Sequence, residues 1–200
     1  MLDSTLRRII DPPLNRLGRG MAARGWTANR VTLLGLGLGL LSALTIALGA
    51  PLLALVPLLA SRLADGLDGA VARASRKTDF GGYLDIACDF AFYGVIPLSF
   101  VFYDDANGLA AAFLLTSFYV NGTSFLGYAI LAEKRGITTQ AQGIKSLYYS
   151  NGLLEGTETI VFFVALCLFP QAFIPLSWVF GTLCFLTAIL RIHGASKLFT

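Results

Sequence analysis

Charge is scarce in this chain, and the places it avoids are as informative as those it occupies. Only 14% of the 200 residues are charged, against 56% hydrophobic, and the mean hydropathy is +0.70. That balance excludes a soluble domain and leaves a single integral membrane domain. Histidine is nearly absent: His193 is alone, follows the last apolar run and is expected at the surface. Cysteine is rare as well. Cys88, Cys167 and Cys184 lie inside apolar segments without metal-ligand spacing, so they read as small buried residues in a reduced setting. Residues 1–30 hold six arginines but no long apolar run, so no cleavable signal peptide is expected, and the first spanning segment would target the chain by itself. No internal repeat suggests an inverted-repeat transporter, and no nucleic-acid partner is expected.

Basic residues are also missing from three loops, around Ala50, Asp104 and Pro170. Apolar runs over about 31–50, 51–73, 82–103, 109–131, 147–169 and 173–190 are each long enough to cross a hydrocarbon core. They predict an all-α integral membrane fold, a six-transmembrane-helix bundle over residues 31–200. All fifteen lysines and arginines then fall on one side of it. By the positive-inside rule both termini face the cytoplasm, in the inner membrane of a cell. Residues 1–30 read as a juxtamembrane basic amphipathic segment on an anionic leaflet. Its stripe of Leu6, Ile9, Ile10, Leu14 and Leu17 would be broken at Pro12-Pro13. Gly35, Gly37 and Gly39 would let another helix approach the first span closely.

The acidic residues gather where the second and third spans meet. Asp65 and Asp68 are spaced i,i+3, and Asp85 and Asp89 i,i+4. On helices each pair projects from one face, and two such faces together make a cage of oxygen ligands. Four acids in adjacent membrane helices need cations, since one Asp alone costs about 2.5–3.5 kcal/mol on insertion scales. Arg62 and Arg73 can neutralise two. All-oxygen ligation favours magnesium or manganese, and a pair of such ions suits a pyrophosphate, clamping attacking and leaving oxygens. Gly66 and Gly69 would let a bulky group lie against the second helix. A purely structural alternative pairs the acids with Arg62, Arg73 and Arg76 to pin the helices together.

With Asp65-x2-Asp68-Gly69-x2-Ala72-Arg73, then seven residues, Gly81, three residues, Asp85, three residues and Asp89, the chain resembles the CDP-alcohol phosphotransferase (CDP-alcohol phosphatidyltransferase) family. The family's Pro-Asn-x-x-Thr entry to the first span stands here as Ala28-Asn29-Arg30-Val31-Thr32, with the proline replaced. The resemblance implies an enzyme of phospholipid synthesis. It would move a phosphatidyl group from a CDP-linked lipid, CDP-diacylglycerol for preference, to the hydroxyl of a small polar alcohol, phosphorylated or not, releasing CMP. It implies two Mg2+ or Mn2+ ions held by Asp65, Asp68, Asp85 and Asp89, with Asp65 bridging and Asp89 as general base. Asn29, Gly69, Arg73 and Thr78 would contact the CDP moiety. A homodimer with its active site at the cytoplasmic surface is implied as well. Two other readings compete. One is a cation-coupled membrane transporter whose Asp cluster is the ion site; the other is a polyprenyl-type transferase, which the Gly-x2-Ala-Arg context does not suit.

Weaker signals remain open. Glu155 and Glu158 either face the cavity or sit at the interface. Lys134, Arg135, Lys145 and Arg191 either bind a phosphorylated acceptor or are ordinary positive-inside charge. Trp26, Tyr148, Tyr149 and Trp178 read as interfacial belt residues.

Overall fold

The structure is a computed structural model that describes residues 2–136, 154 and 156–199. The described residues are helical, without strands: α1 (Leu2–Ala23), α2 (Ala28–Ala47), α3 (Pro51–Ala74), α4 (Asp79–Tyr103), α5 (Gly108–Lys134), α6 (Gly156–Leu168) and α7 (Phe173–Leu198), with short 3-10 turns before α5 and α7. By length and composition α2, α4, α5 and α7 are long and apolar enough to cross a membrane. The 24-residue α3 is as long, roughly 36 Å, but carries Arg62, Asp65, Asp68 and Arg73 along its second half. The expected fifth span is described only at 154 and from Gly156 onward.

Local chemistry sets the ends of these helices. Thr27 caps α2, its side chain accepting from the Arg30 amide, and Thr78 caps α4 by accepting from the Gly81 amide. At the far end of α2, Gly49 takes φ +89° and Pro51 opens α3, so the reversal needs only a few residues. The Asn107 side-chain amide donates to the Phe100 carbonyl at 2.9 Å, beside the Asp104 amide that closes the last turn of α4 at 3.1 Å.

In lipid, apolar burial does not drive helices together, so close packing and interhelical hydrogen bonds must. Ser61 Oγ donates to the Gly35 carbonyl at 2.7 Å and Ser42 Oγ to the Ala54 carbonyl at 3.0 Å, tying α2 to α3. A Cβ on Gly35 would meet Ala64 at 3.3 Å, and one on Gly39 would meet the Phe92 ring at 2.7 Å, whereas Gly37 faces open space. Two of the three glycines thus serve close approach, and the third does not. The central core is aromatic: Phe162 stacks on Phe180 and Phe100 on Phe173, with Phe92 and Phe163 fully buried among them. Cys88, Cys167 and Cys184 are buried free thiols, as expected.

The N-terminal segment departs from expectation. It does not break at Pro12-Pro13; α1 runs unbroken through both. The prolines remove two amide donors and crowd the preceding turn, at a cost of about 3 kcal/mol each. Docking on α3 offsets that cost. Leu14 is buried against Gly66, and Gly18 lies so close to Ala70 that a Cβ would fall 2.8 Å from its carbonyl carbon. Gly66 therefore makes room for α1, not for a bulky ligand. Side chains are described from Ile10 onward, so Leu6 and Ile9 of the expected stripe lie outside the described side chains.

Candidate active site

The signature residues sit where the end of α3 meets the start of α4. Asp65 and Asp68 project from one helix and Asp85 from the other, and one carboxylate oxygen of each lies within 4.8 Å of the others. Asp68 is only 6% exposed, and its Oδ2 accepts a 2.6 Å hydrogen bond from the Thr32 hydroxyl of α2. A buried carboxylate needs such a partner, and the bond also fixes its orientation. These donors are all oxygen and converge from two helices, which fits a hard divalent cation of the Mg2+ or Mn2+ kind.

Asp89, one turn further along α4, is outside that trio. Its Oδ1 accepts from Arg62 Nη1 at 2.8 Å, and the same nitrogen is 3.7 Å from Asp65. Arg62 is thus the residue that neutralises acids here, as one expected pairing had it. Arg73 does something else: its Nε and Nη2 donate to Asn15 Oδ1 of α1 at 3.2 and 3.0 Å.

Next to the carboxylates opens a cavity of about 230 Å³. Asn29, Gly69, Arg73 and Thr78 all line it, together with Asp68 and Asp85. All four residues expected to contact the CDP moiety therefore share one chamber with two of the expected metal ligands. Arg76 and Lys77 add positive charge to its wall, so a diphosphate would meet cations from the chain on one side and carboxylates on the other. A Cβ on Gly69 would come within 3.3 Å of Arg73 Nη1, so the missing side chain leaves that guanidinium its place.

A second, larger cavity of about 690 Å³ lies between α4, α5, α7 and the start of α6, with Asp89 in its wall. Tyr93, Phe118 and Phe125 make it largely apolar, and Arg191 and Asn121 give it a polar corner. Arg191 donates to Asn121 Oδ1 at 2.8 Å and to Ser124 Oγ at 2.7 Å. Of the basic residues weighed for a phosphorylated acceptor, Arg191 alone among the described ones lines this cavity. Arg135 instead donates to the Leu198 and Phe199 carbonyls at the end of α7. Glu158 lies in the first turn of α6, while Lys145, Tyr148, Tyr149 and Glu155 lie outside the described residues. His193 is exposed, as expected.

Residues 26–190 match the CDP-alcohol phosphatidyltransferase family. The chain belongs to that family. As a CDP-alcohol phosphatidyltransferase it is an enzyme of phospholipid synthesis and a multi-pass membrane protein, which sets aside both the transporter and the prenyl-transferase readings. It is 45% identical over 193 residues to the inner membrane protein YnjF of Escherichia coli, covering 96% of this chain and 94% of that one. It is 30% identical over 196 residues to archaetidylinositol phosphate synthase of Pyrococcus horikoshii, at 97% and 96% coverage. The fold is similar to the crystal structure of Mycobacterium tuberculosis phosphatidylinositol phosphate synthase (PgsA1) with CDP-DAG bound. The TM-score is 0.72 at 21% identity, covering 90% of this chain and 92% of that one. The family depends on metal, and the Asp65–Asp68–Asp85 cluster is where this phosphatidyltransferase presents a fitting set of ligands.

Two contributors were not legible beforehand. Thr32 was visible as part of the Asn-x-x-Thr entry but not as the partner of Asp68. Asn15 carried no signal at all, because nothing in a polar residue of an amphipathic helix reveals which helix it will dock against.

Proposed function

We propose that this phosphatidyltransferase moves the phosphatidyl group of CDP-diacylglycerol onto the hydroxyl of a small polar alcohol and releases CMP. The observation that carries the reading is the single chamber shared by Asn29, Gly69, Arg73 and Thr78 with Asp68 and Asp85. Asn29 and Thr78, at the starts of α2 and α4, would hold the nucleoside, and Arg73, Arg76 and Lys77 the diphosphate. Asp65, Asp68 and Asp85 would hold a divalent ion, with Asp89 beside a second. Bound there, such ions supply positive charge to the diphosphate oxygens and the departing CMP. The acceptor oxygen forms its bond to the phosphorus that carries diacylglycerol, while the bond from that phosphorus to CMP breaks and its electron pair leaves with CMP. The hydroxyl proton passes to the carboxylate of Asp89, which lines the second cavity. The acceptor would therefore enter from that cavity, its phosphate, where it has one, against Arg191.

The same reading holds six spans, with both termini and the active site on the cytoplasmic side. Its support is that Arg30, Arg73, Arg76, Lys77, Lys134, Arg135 and Lys197 all lie at or beyond the helix ends nearest the carboxylates. A homodimer in the bilayer belongs to it too.

The test is CMP release by detergent-purified protein from CDP-diacylglycerol with Mg2+ or Mn2+ across a panel of alcohols. The name of the Pyrococcus relative puts inositol phosphate first on that panel, ahead of glycerol 3-phosphate, serine and a lipid glycerol. Metal-dependent release with one of them is the expected result. No release with any acceptor would refute the assignment of donor or acceptor class.

A further inference from the structure

The transfer chemistry above leaves one buried charge unused. Arg62 sits one turn before Asp65 on α3, and its side chain is 9% exposed. Its guanidinium is held from several directions. Nη1 donates to Asp89 Oδ1 at 2.8 Å, and Nη2 donates to Ser61 Oγ at 3.1 Å. Cζ lies 3.7 Å above the centre of the Phe92 ring, while Nε is buried without a partner. Ser61 cannot turn away easily, because its own hydroxyl is committed to the Gly35 carbonyl. Desolvating an arginine this fully costs several kcal/mol, and a hydrophobic residue would join the helices as well or better. A simple pin between α3 and α4 therefore does not account for a charge at this place.

We propose that Arg62 is a positioning residue for phosphatidyl transfer: a fixed positive charge within the carboxylate cluster that holds Asp89 against the second cavity. It also neutralises charge that a divalent ion would otherwise have to meet. The inference rests on the transfer reading, since it needs Asp89 to act on the acceptor. Two physical consequences follow, of opposite sense. Without the guanidinium, a divalent ion no longer meets a like charge beside Asp65, and the Asp89 oxygen that Nη1 holds is released to it. Metal binding tightens. Asp89 is then no longer held toward the acceptor, and turnover falls. A residue that merely pinned the helices would, on removal, loosen the cluster and weaken metal binding instead.

The experiment compares Arg62→Met and Arg62→Lys with the wild type in the full chain, purified in detergent. Mn2+ affinity is titrated without substrates, and kcat and KM are measured by CMP release at saturating Mn2+. Arg62→Met is expected to bind Mn2+ at least about tenfold more tightly, the order set by removing one unit charge a few ångströms away. Its kcat should fall about ten- to a hundredfold, as for loss of a hydrogen bond to a charged group, with little change in donor KM. Lysine keeps the charge but not the planar fork or the ring contact, so Arg62→Lys should keep wild-type Mn2+ affinity and recover only part of kcat. Weaker or unchanged Mn2+ binding by Arg62→Met, or an unchanged kcat, overturns the proposal. If Arg62→Met yields no monodisperse protein, Arg62→Lys decides. Reduced kcat at wild-type affinity supports the proposal, and full kcat or weakened Mn2+ binding refutes it. Wild-type protein that binds Mn2+ but releases no CMP would count against the transfer reading, and the sign of the Mn2+ shift in Arg62→Met would still judge this one.

Discussion

Gly18→Ala should damage donor binding from outside the catalytic chamber. An alanine Cβ there would fall 2.7 Å from the Ala70 Cβ and 2.8 Å from its carbonyl carbon. Backbone cannot swing aside as a flexible side chain would, so α1 and α3 must separate by something under an ångström. Overpacking of this kind typically costs about 1–3 kcal/mol. The contact is in register with another: Asn15 precedes Gly18 by three residues on α1, and Arg73 follows Ala70 by three on α3. Separation there stretches the hydrogen bonds of 3.0 and 3.2 Å that aim Arg73. The pair is exposed, so we take the value of an ordinary hydrogen bond, below the range for a charged one, about 1 kcal/mol, or about fivefold in the KM for CDP-diacylglycerol. Gly20 is a matched control on the same helix, since a Cβ there meets nothing within 4 Å. Gly20→Ala should leave KM alone and gain up to about 1 kcal/mol of helix propensity. Steady-state CMP release at varied donor reads both variants, and Asn15→Ala completes a cycle. If Gly18→Ala acts by way of Asn15, its effect on KM shrinks in the Asn15→Ala background. A Gly18→Ala variant with wild-type donor KM, or one whose effect simply adds to that of Asn15→Ala, would show that α1 does not aim Arg73.

Other expectations concern the carboxylates and the packing. Asp68→Asn and Asp85→Asn should each reduce CMP release to background and abolish tight Mn2+ binding while the protein remains monodisperse; Mn2+ affinity at the wild-type level in either would remove that residue from the ligand set. Thr32→Val deletes the 2.6 Å bond that orients Asp68 and should weaken Mn2+ binding about ten- to a hundredfold, as for loss of an orienting partner behind a metal ligand; calorimetric titration checks this. Asn107→Ala removes one of the two donors to the Phe100 carbonyl and leaves the Asp104 amide. It should lower stability by about 1 kcal/mol with kcat unchanged, and an unchanged thermal midpoint would mean that the Asp104 amide alone suffices.

What was legible in the sequence depended on how local the physics is. Helix membership and the carboxylate spacing are set within one or two turns, so apolar runs and i,i+3 or i,i+4 pairs are enough to find them. The four residues expected to contact the nucleotide, Asn29, Gly69, Arg73 and Thr78, come from α2, α3 and the cap of α4, and only the resemblance to a known motif groups them in sequence; in the structure they line one chamber. Contacts that depend on interhelical register were not legible. The aspartate motif alone makes Gly66 room for a ligand, because nothing local in the sequence places Leu14, more than fifty residues earlier, over it. The local cost of the prolines of α1 points to a break, whereas the docking surface that offsets it belongs to another helix.

Arg62 shows where the boundary falls. From sequence it could be counted against the charge of the acids, since an arginine one turn from Asp65 is bound to be near them. Which acid it takes is a different matter. Its partner is Asp89, 27 residues away, and not Asp65, its own i+3 neighbour, from which it stays 3.7 Å distant. The choice is made by Ser61 and Phe92, which hold the guanidinium across the α3–α4 seam, and by Gly39, whose missing side chain lets the Phe92 ring lie there. A glycine of α2 thereby helps to decide which carboxylate of α4 is left to ligate metal. Placing a Cβ at that glycine should therefore disturb Asp89 before it disturbs the Asp65–Asp68–Asp85 trio. Gly39→Ala is expected to lower kcat more than Mn2+ affinity, and a variant that lost both in equal measure would refute that order of dependence.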